Sequence, residues 1–200
     1  MAIKFQYNKT SLQQLEKQLK VRVKALPTLK NKEAALRVEV KKAKEEAERL
    51  EKMIETKLHA YQDMVELWGE FDNDLVSVEE VDLSVKKIAG VKTPVLEGVM
   101  FSIKEFSVFN QPSWYLDGIA VSKELAQIAI ESEVFNQKMA LLDHARRKTT
   151  QKVNLYEKVQ IPGFQDAIRK IKRFMEDEEN LSKAAQKIVK TRIQEMEESL

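Results

Sequence analysis

Two histidines, one run of acids and two short basic runs are the residues of this 200-residue chain whose chemistry could mark a site. His59 and His144 each stand alone in stretches expected to be helical. One imidazole offers a single ligand or a single proton relay, so each is expected to be a solvated or hydrogen-bonded side chain. Glu176-Asp177-Glu178-Glu179 has the oxygens a cation would want. On a helix, however, consecutive side chains fan around the axis instead of converging, and a solvated face is expected there. Lys41-Lys42 and Arg146-Arg147-Lys148 could meet phosphate. Acids dilute both runs, and no aromatic residues are interleaved as stacking platforms for bases, so nucleic acid is not an expected partner. Cysteine is absent, which excludes disulfides, thiolate metal sites and cysteine nucleophiles. A glycine-rich phosphate loop, a nucleophile elbow and a metalloprotease His-Glu pair are all missing. No catalytic, cofactor-binding or metal residues are expected, and no cofactor.

Basic and acidic residues nearly balance, 34 against 32, for a formal net charge of +2. Such a balance creates no strong field toward nucleic acid or a membrane surface. The opening MAIKFQYNKT has no apolar signal core, and nothing approaches the roughly 20 apolar residues of a membrane span. The expectation is a soluble intracellular protein with no direct membrane insertion.

The elements follow from periodicity. From about Lys9 to Trp68, apolar residues recur at three- and four-residue steps: Leu12, Leu15, Leu19, Val23, Leu26 and Leu29, and finally Leu58, Tyr61, Val65 and Trp68. Between these groups, Leu36, Val40, Ala43, Ala47, Leu50 and Ile54 form a strict heptad. That spacing keeps one narrow seam toward a partner helix while Lys and Glu occupy the other faces. Thr10 or Ser11 is the expected N-cap. Pro27 admits two readings: a break, with a new helix near Thr28, or a kinked continuous helix. The unbroken phase from Leu26 to Leu29 favours the second.

Residues 69–120 change period. Val81, Leu83 and Val85 alternate with polar residues, as do Val99, Phe101 and Ile103, the mark of half-buried strands. IAGVKTPVLEG between them, with Gly90, Pro94 and Gly98, suits a long hairpin connection. Helical period resumes near Ser122 with Leu125, Ile128, Ser132, Phe135, Met139 and Leu142, then Arg146, Thr149, Val153 and Tyr156. Arg146 and Thr149 at seam positions either set register or face another subunit, or are a mild irregularity with the charge snorkelling outward. The stripe slips by one residue to Phe164, Ile168, Ile171 and Met175, and the slip coincides with Ile161-Pro162-Gly163. A kink and a local change of winding are expected there. Leu181, Ala185 and Ile188 carry the seam on.

Helices of about 58 and about 75 residues would be roughly 87 and 110 Å long, whereas a compact domain of this size is only ~45 Å across. Each helix must then bury just its seam. The expected fold is all-α dominated: a long antiparallel two-helix coiled coil with a small β-hairpin insert. Residues 1–68 form the N-terminal helix, 69–120 the insert and 121–200 the C-terminal helix of one elongated domain. The longer helix is expected to be unpaired past about residue 180.

These residues resemble the D subunit of the V-type (vacuolar/archaeal-type) ATP synthases, most of all its bacterial version. Leu26-Pro27-Thr28-Leu29-Lys30-Asn31-Lys32-Glu33-Ala34-Ala35-Leu36 is similar to that family's Leu-Leu-Lys-x-Lys-Arg-x-x-Leu segment, with Pro27 where a small residue or Leu is commoner. Gly90-Val91-Lys92-Thr93-Pro94 resembles its Gly-Val-x-x-Pro hairpin. Val153-Asn154-Leu155-Tyr156-Glu157-Lys158-Val159-Gln160-Ile161-Pro162 resembles its Val-Asn-Ala-Leu-Glu-Tyr-Val-x-Ile-Pro block, with Arg147 displaced upstream. The resemblance implies a non-catalytic central rotor stalk. Both chain termini would enter the central cavity of a hexamer of A and B subunits, where ATP synthesis or hydrolysis is coupled to proton or sodium transport. The F subunit would bind the side of the stalk, and the hairpin end would face a socket subunit above the membrane rotor ring. The protein would be cytoplasmic and peripheral to the membrane. The competing readings are a generic coiled-coil adaptor, an enzyme, and the γ rotor of F-type synthases. The last carries a much larger α/β insert than residues 69–120 can hold.

Overall fold

A computed structural model describes residues 3–61, 69–72, 74–107 and 111–198. In chain order these form helix α1 (Lys9–Ala60), strands β1 (Val76–Ile88) and β2 (Val91–Ile103), helix α2 (Trp114–Asn154), a π-helical segment (Leu155–Gln160) and helix α3 (Ile161–Glu198). The expected helix-dominated fold with one antiparallel hairpin is the fold observed. The chain divides into two units, Met1–Asn31 with Thr149–Leu200, and Lys32–Lys148.

α1 is one helix of 52 residues with Pro27 inside it. Continuity is the reading that the unbroken apolar phase favours. Its N-cap is Asn8, not Thr10 or Ser11: the Ser11 N–H donates to Asn8 Oδ1 at 2.7 Å. Ser11 instead turns its hydroxyl back to accept from the Gln6 N–H at 3.3 Å. Asn is among the best N-caps, and starting at Lys9 frees Leu12 and Leu15 to lie fully within the helix.

In the first unit the pairing is antiparallel. Glu16 meets Lys172 at 3.0 Å, and Lys30 meets Glu157 at 2.7 Å, so the partner numbers fall as the α1 numbers rise. Leu15 is buried with Phe164, Ala167, Ile168 and Ile171, and Leu12, Leu19 and Met175 pack against them. Val23, expected on the seam, is 47% exposed. Arg22 takes the place, with its guanidinium carbon 4.5 Å from the Phe164 ring centroid and Nε donating to Gln160 at 2.6 Å. An arm from Ile3 to Tyr7 covers α3. Ile3 touches Gly163, where an added Cβ would lie 3.0 Å away, and Tyr7 stacks on Phe174 with centroids 4.9 Å apart.

The stripe's one-residue slip is the π segment. The Ile161 N–H donates to the Tyr156 carbonyl, five residues back. In α winding the Pro162 ring would strike the carbonyl four residues before it. The wider π turn moves that carbonyl aside and absorbs one extra residue.

In the second unit the heptad is the core. Leu36, Ala43, Ala47 and Leu50 of α1 are buried, as are Ile128, Ser132, Val134 and Leu142 of α2. Lys57 Nζ reaches Glu124 at 2.7 Å, and Asn136 Nδ2 donates to Glu51 at 3.4 Å, again antiparallel. Leu58, expected on the seam, is 54% exposed. Val65 and Trp68 lie outside the described residues.

Phe71, Leu75, Tyr115 and Ile119 form a second cluster at the base of the hairpin, with Trp114 and Phe106 against it. The Asp72 N–H donates to the Tyr115 hydroxyl at 3.1 Å. α2 therefore starts at Trp114, not near Ser122. Gly118, inside this helix, marks a close approach: a Cβ there would sit 2.9 Å from the Phe71 ring. Replacing Gly118 with Ala should destabilise the protein by about 1–3 kcal/mol, the usual range for overpacking. Its urea midpoint should fall, and an unchanged midpoint would show that the ring moves freely.

The hairpin differs from its expected form. β1 and β2 are each 13 residues long, paired from Val76↔Ile103 to Ile88↔Val91. The connection is only Ala89-Gly90, at φ 48° and 83°, a tight turn of the type that matches strand twist. Alanine in the left-handed region gives no sequence signal, which is why the pattern suggests a longer turn. Pro94 stays within β2 opposite Val85. Counting from the turn, that is a non-hydrogen-bonded pair, so no ladder bond is lost. Glu79 on β1 and Glu97 on β2 are extra residues at two bulges, which increase the ribbon's twist. The ribbon lies back along the helices of its unit. Pro94, Val95 and Leu96 face Val134 and Phe135 across a cavity of about 160 Å³, and Gly90 lies against Lys32.

Candidate functional site

Among the described residues, most ion pairs join neighbours on one helix, and a few link the two helices of a pair. Lys41 pairs with Glu45 at 3.5 Å and Lys42 with Glu39 at 3.1 Å. Helical spacing of three or four residues makes such pairs, each worth about 0.2–0.5 kcal/mol. The first basic run is thus a compensated face. Arg146 and Arg147 share Asp143, at 2.7 Å to each carboxylate oxygen.

Asp143 lies outside the runs that the sequence singles out. Its spacing, three and four residues before the two arginines, is the signal that could have found it. The Arg146 hydrogen bond, followed by that of Arg147, holds its carboxyl below the usual aspartate value, against an opposing effect of burial. A depressed carboxylate pKa stabilises the fold above its unfolded pKa, and the contribution disappears as pH falls through the folded value. Asp143→Asn should therefore flatten the stability profile below about pH 4, where unfolded aspartate titrates. Unfolding midpoints between about pH 2.5 and 6 check this, and an identical slope in wild type and variant would contradict it.

Arg146 and Thr149 are both half-buried, as seam positions require. In the second unit, Val40 and Lys44 of α1 and Met139, Asp143, His144 and Arg146 of α2 border an open groove of about 510 Å³. His59 and His144 are exposed on separate helices. Glu176 to Glu179 point into solvent along α3, with Glu179 drawn to Lys183 at 2.7 Å and its carboxyl held below the ordinary glutamate value by that hydrogen bond. Among the described residues, no three His, Cys, Asp or Glu side chains gather as a metal would need. Also among them, no helix is long and apolar enough to cross a membrane.

The end of α3 is left uncovered. Past Met175 every described side chain is exposed, roughly six helical turns at 3.6 residues per turn. Leu181, Ala185 and Ile188, which continue the seam, have no opposing helix there, and Leu181 is 72% exposed. Ala185, Val189 and Ile193 line a shallow apolar groove along the same stretch. Contiguous exposed apolar surface of this kind marks an interaction face. What the molecule offers is thus a paired-helix scaffold with one bare helical end and no convergent polar constellation among the described residues, the properties of an assembly subunit.

Comparison with known proteins gives the same class a family. The profile described as the D subunit of ATP synthase matches residues 11–191. The V-type ATP synthase D subunit of Chlamydia muridarum is 30% identical over 178 residues, 86% of this chain and 88% of that one. The D subunit of Chlamydia caviae is also 30% identical, over 86% of each chain. That of Chlamydia pneumoniae is 28% identical over 200 residues, 97% of this chain and 95% of its own. The chain belongs to the ATP synthase D-subunit family, whose members are structural subunits and not catalysts.

Proposed function

We propose that this chain is the central rotor stalk of a V-type ATP synthase/ATPase. It couples ATP synthesis or hydrolysis in a hexamer of A and B subunits to proton or sodium translocation, by rotation. The carrying observation is that the first part of α1 pairs with α3 in one unit, where α3 runs on bare past Met175. That end enters the hexamer cavity. Residues 1–68 and 121–200 work as the stalk, and residues 69–120 as the insert that meets the socket subunit above the membrane ring. The F subunit binds the side of the stalk. The protein works in the cytoplasm, peripheral to the membrane through the complex. A turning shaft must slide past several positions of its bearing, and a deep fixed apolar interface would trap it in one. Locally compensated surface charge such as the Lys41–Glu45 and Lys42–Glu39 pairs suits that task.

Co-expression with A and B subunits tests this reading. The chain should elute with them in a complex that hydrolyses ATP. Elution alone, beside a hexamer that forms a full complex without it, would favour a generic coiled-coil adaptor.

A further inference from the structure

We propose that the π segment Leu155–Gln160 is a torsional joint, the place where the second half of the helix pair changes winding without unpacking. Three observations converge on it. None of its six residues is buried, and Leu155 and Val159 are about 40% exposed, between buried Val153 on one side and buried Phe164 on the other. The joint therefore lies in a stretch of the seam that contributes no buried side chain, where a change of backbone winding moves none of the core residues themselves. Its backbone is wound five residues to the hydrogen bond, a wide turn that is rare in helices and found mostly as a single bulge at functional sites. Pro162 bounds it on the C-terminal side, since α winding there would drive the ring into the Lys158 carbonyl. The extra residue is therefore held in this turn, and the segment yields in place, by twisting and by transient opening of its wide turn.

Contacts with α1 keep the joint from coming apart. Arg22 donates to Gln160 at 2.6 Å and stacks between Tyr156 and Phe164, at 5.9 and 4.5 Å to the ring centroids. Lys30 holds Glu157 at 2.7 Å. Both tethers are long, flexible side chains, so they restrain the segment while allowing it to rotate. A shaft under torque strains first where winding is softest. In the assembled machine, therefore, twist collects at this segment and the Leu15–Ile171 core stays intact; that consequence rests on the rotor reading, whereas the joint itself does not.

Amide hydrogen exchange on the purified full chain tests the joint by itself. Amides across Leu155–Ile161 should exchange at least about tenfold faster than those of Phe164–Ile171, as expected of locally opening segments. Equal protection of the two stretches would overturn the proposal. A repaired helix, Pro162→Ala with Val159 deleted, should remove the difference and raise the melting temperature. Arg22→Met, which keeps an apolar stem but loses the tether, should speed exchange in Leu155–Ile161 and leave Phe164–Ile171 unchanged. If it loosened both stretches equally, the segment would be part of the core and not a joint. Within the A/B complex, the repaired chain should assemble and hydrolyse ATP but lose coupling to ion transport. Full coupling with the repaired chain would overturn the joint's mechanical role while leaving the rotor reading standing.

Discussion

Leu142→Ala should cost the protein about 3 kcal/mol of stability, whereas Leu141→Ala beside it should change stability by less than about 0.5 kcal/mol. The two positions carry the same side chain. Leu142 is fully buried and Leu141 is 45% exposed. A two-helix seam buries only a narrow stripe, so few other contacts can close over the cavity left at Leu142. Leu-to-Ala changes at fully buried sites cost about 2–5 kcal/mol. Urea unfolding followed by the far-ultraviolet helix signal separates the two variants. Similar losses at both positions would mean that helix propensity, not the seam, holds the pair together.

The second large effect is on assembly. Ending the chain after Asn180 removes Leu181 and the rest of α3, all described side chains of which are exposed. Folding should be nearly indifferent, with a change under about 0.5 kcal/mol, because no core contact is removed. Coupling of ATP hydrolysis to rotation should be lost. A shorter cut at Glu195 should impair coupling in part and folding not at all. If either truncation lowered the melting temperature by more than a few degrees, the end of α3 would have a structural role within the chain itself.

The heptad from Leu36 to Ile54 is readable because each position keeps its phase against a partner of like period, and all six are buried or half-buried. The failures lie where the partner sets the phase. At Val23 a single-helix pattern favours the apolar residue. The opposing helix is wound wider there and offers Tyr156, Gln160 and Phe164, to which the neighbouring Arg22 is better matched. At Leu58 the pairing is instead carried by Lys57 with Glu124. The one-residue slip near Pro162 is visible in the sequence, but its form as a π segment depends on the Lys158 carbonyl meeting a proline ring. The early start of α2 is hidden because its first turns contain a glycine, Gly118, whose reason appears only once Phe71 is placed over it. Of the candidate surface, the lack of convergent polar residues can be read from composition and spacing. The bare face of α3 can be read only in part, since it depends on where α1 and its arm stop.

Rotation itself is directly measurable, because the chain lacks cysteine. A single cysteine introduced at Lys92, beside the hairpin turn, gives one attachment point for a probe bead. With the A/B complex fixed to a surface through its A subunits, adding ATP should turn the bead continuously in one direction. A complex that hydrolyses ATP at full rate while the bead only fluctuates would contradict the rotor role.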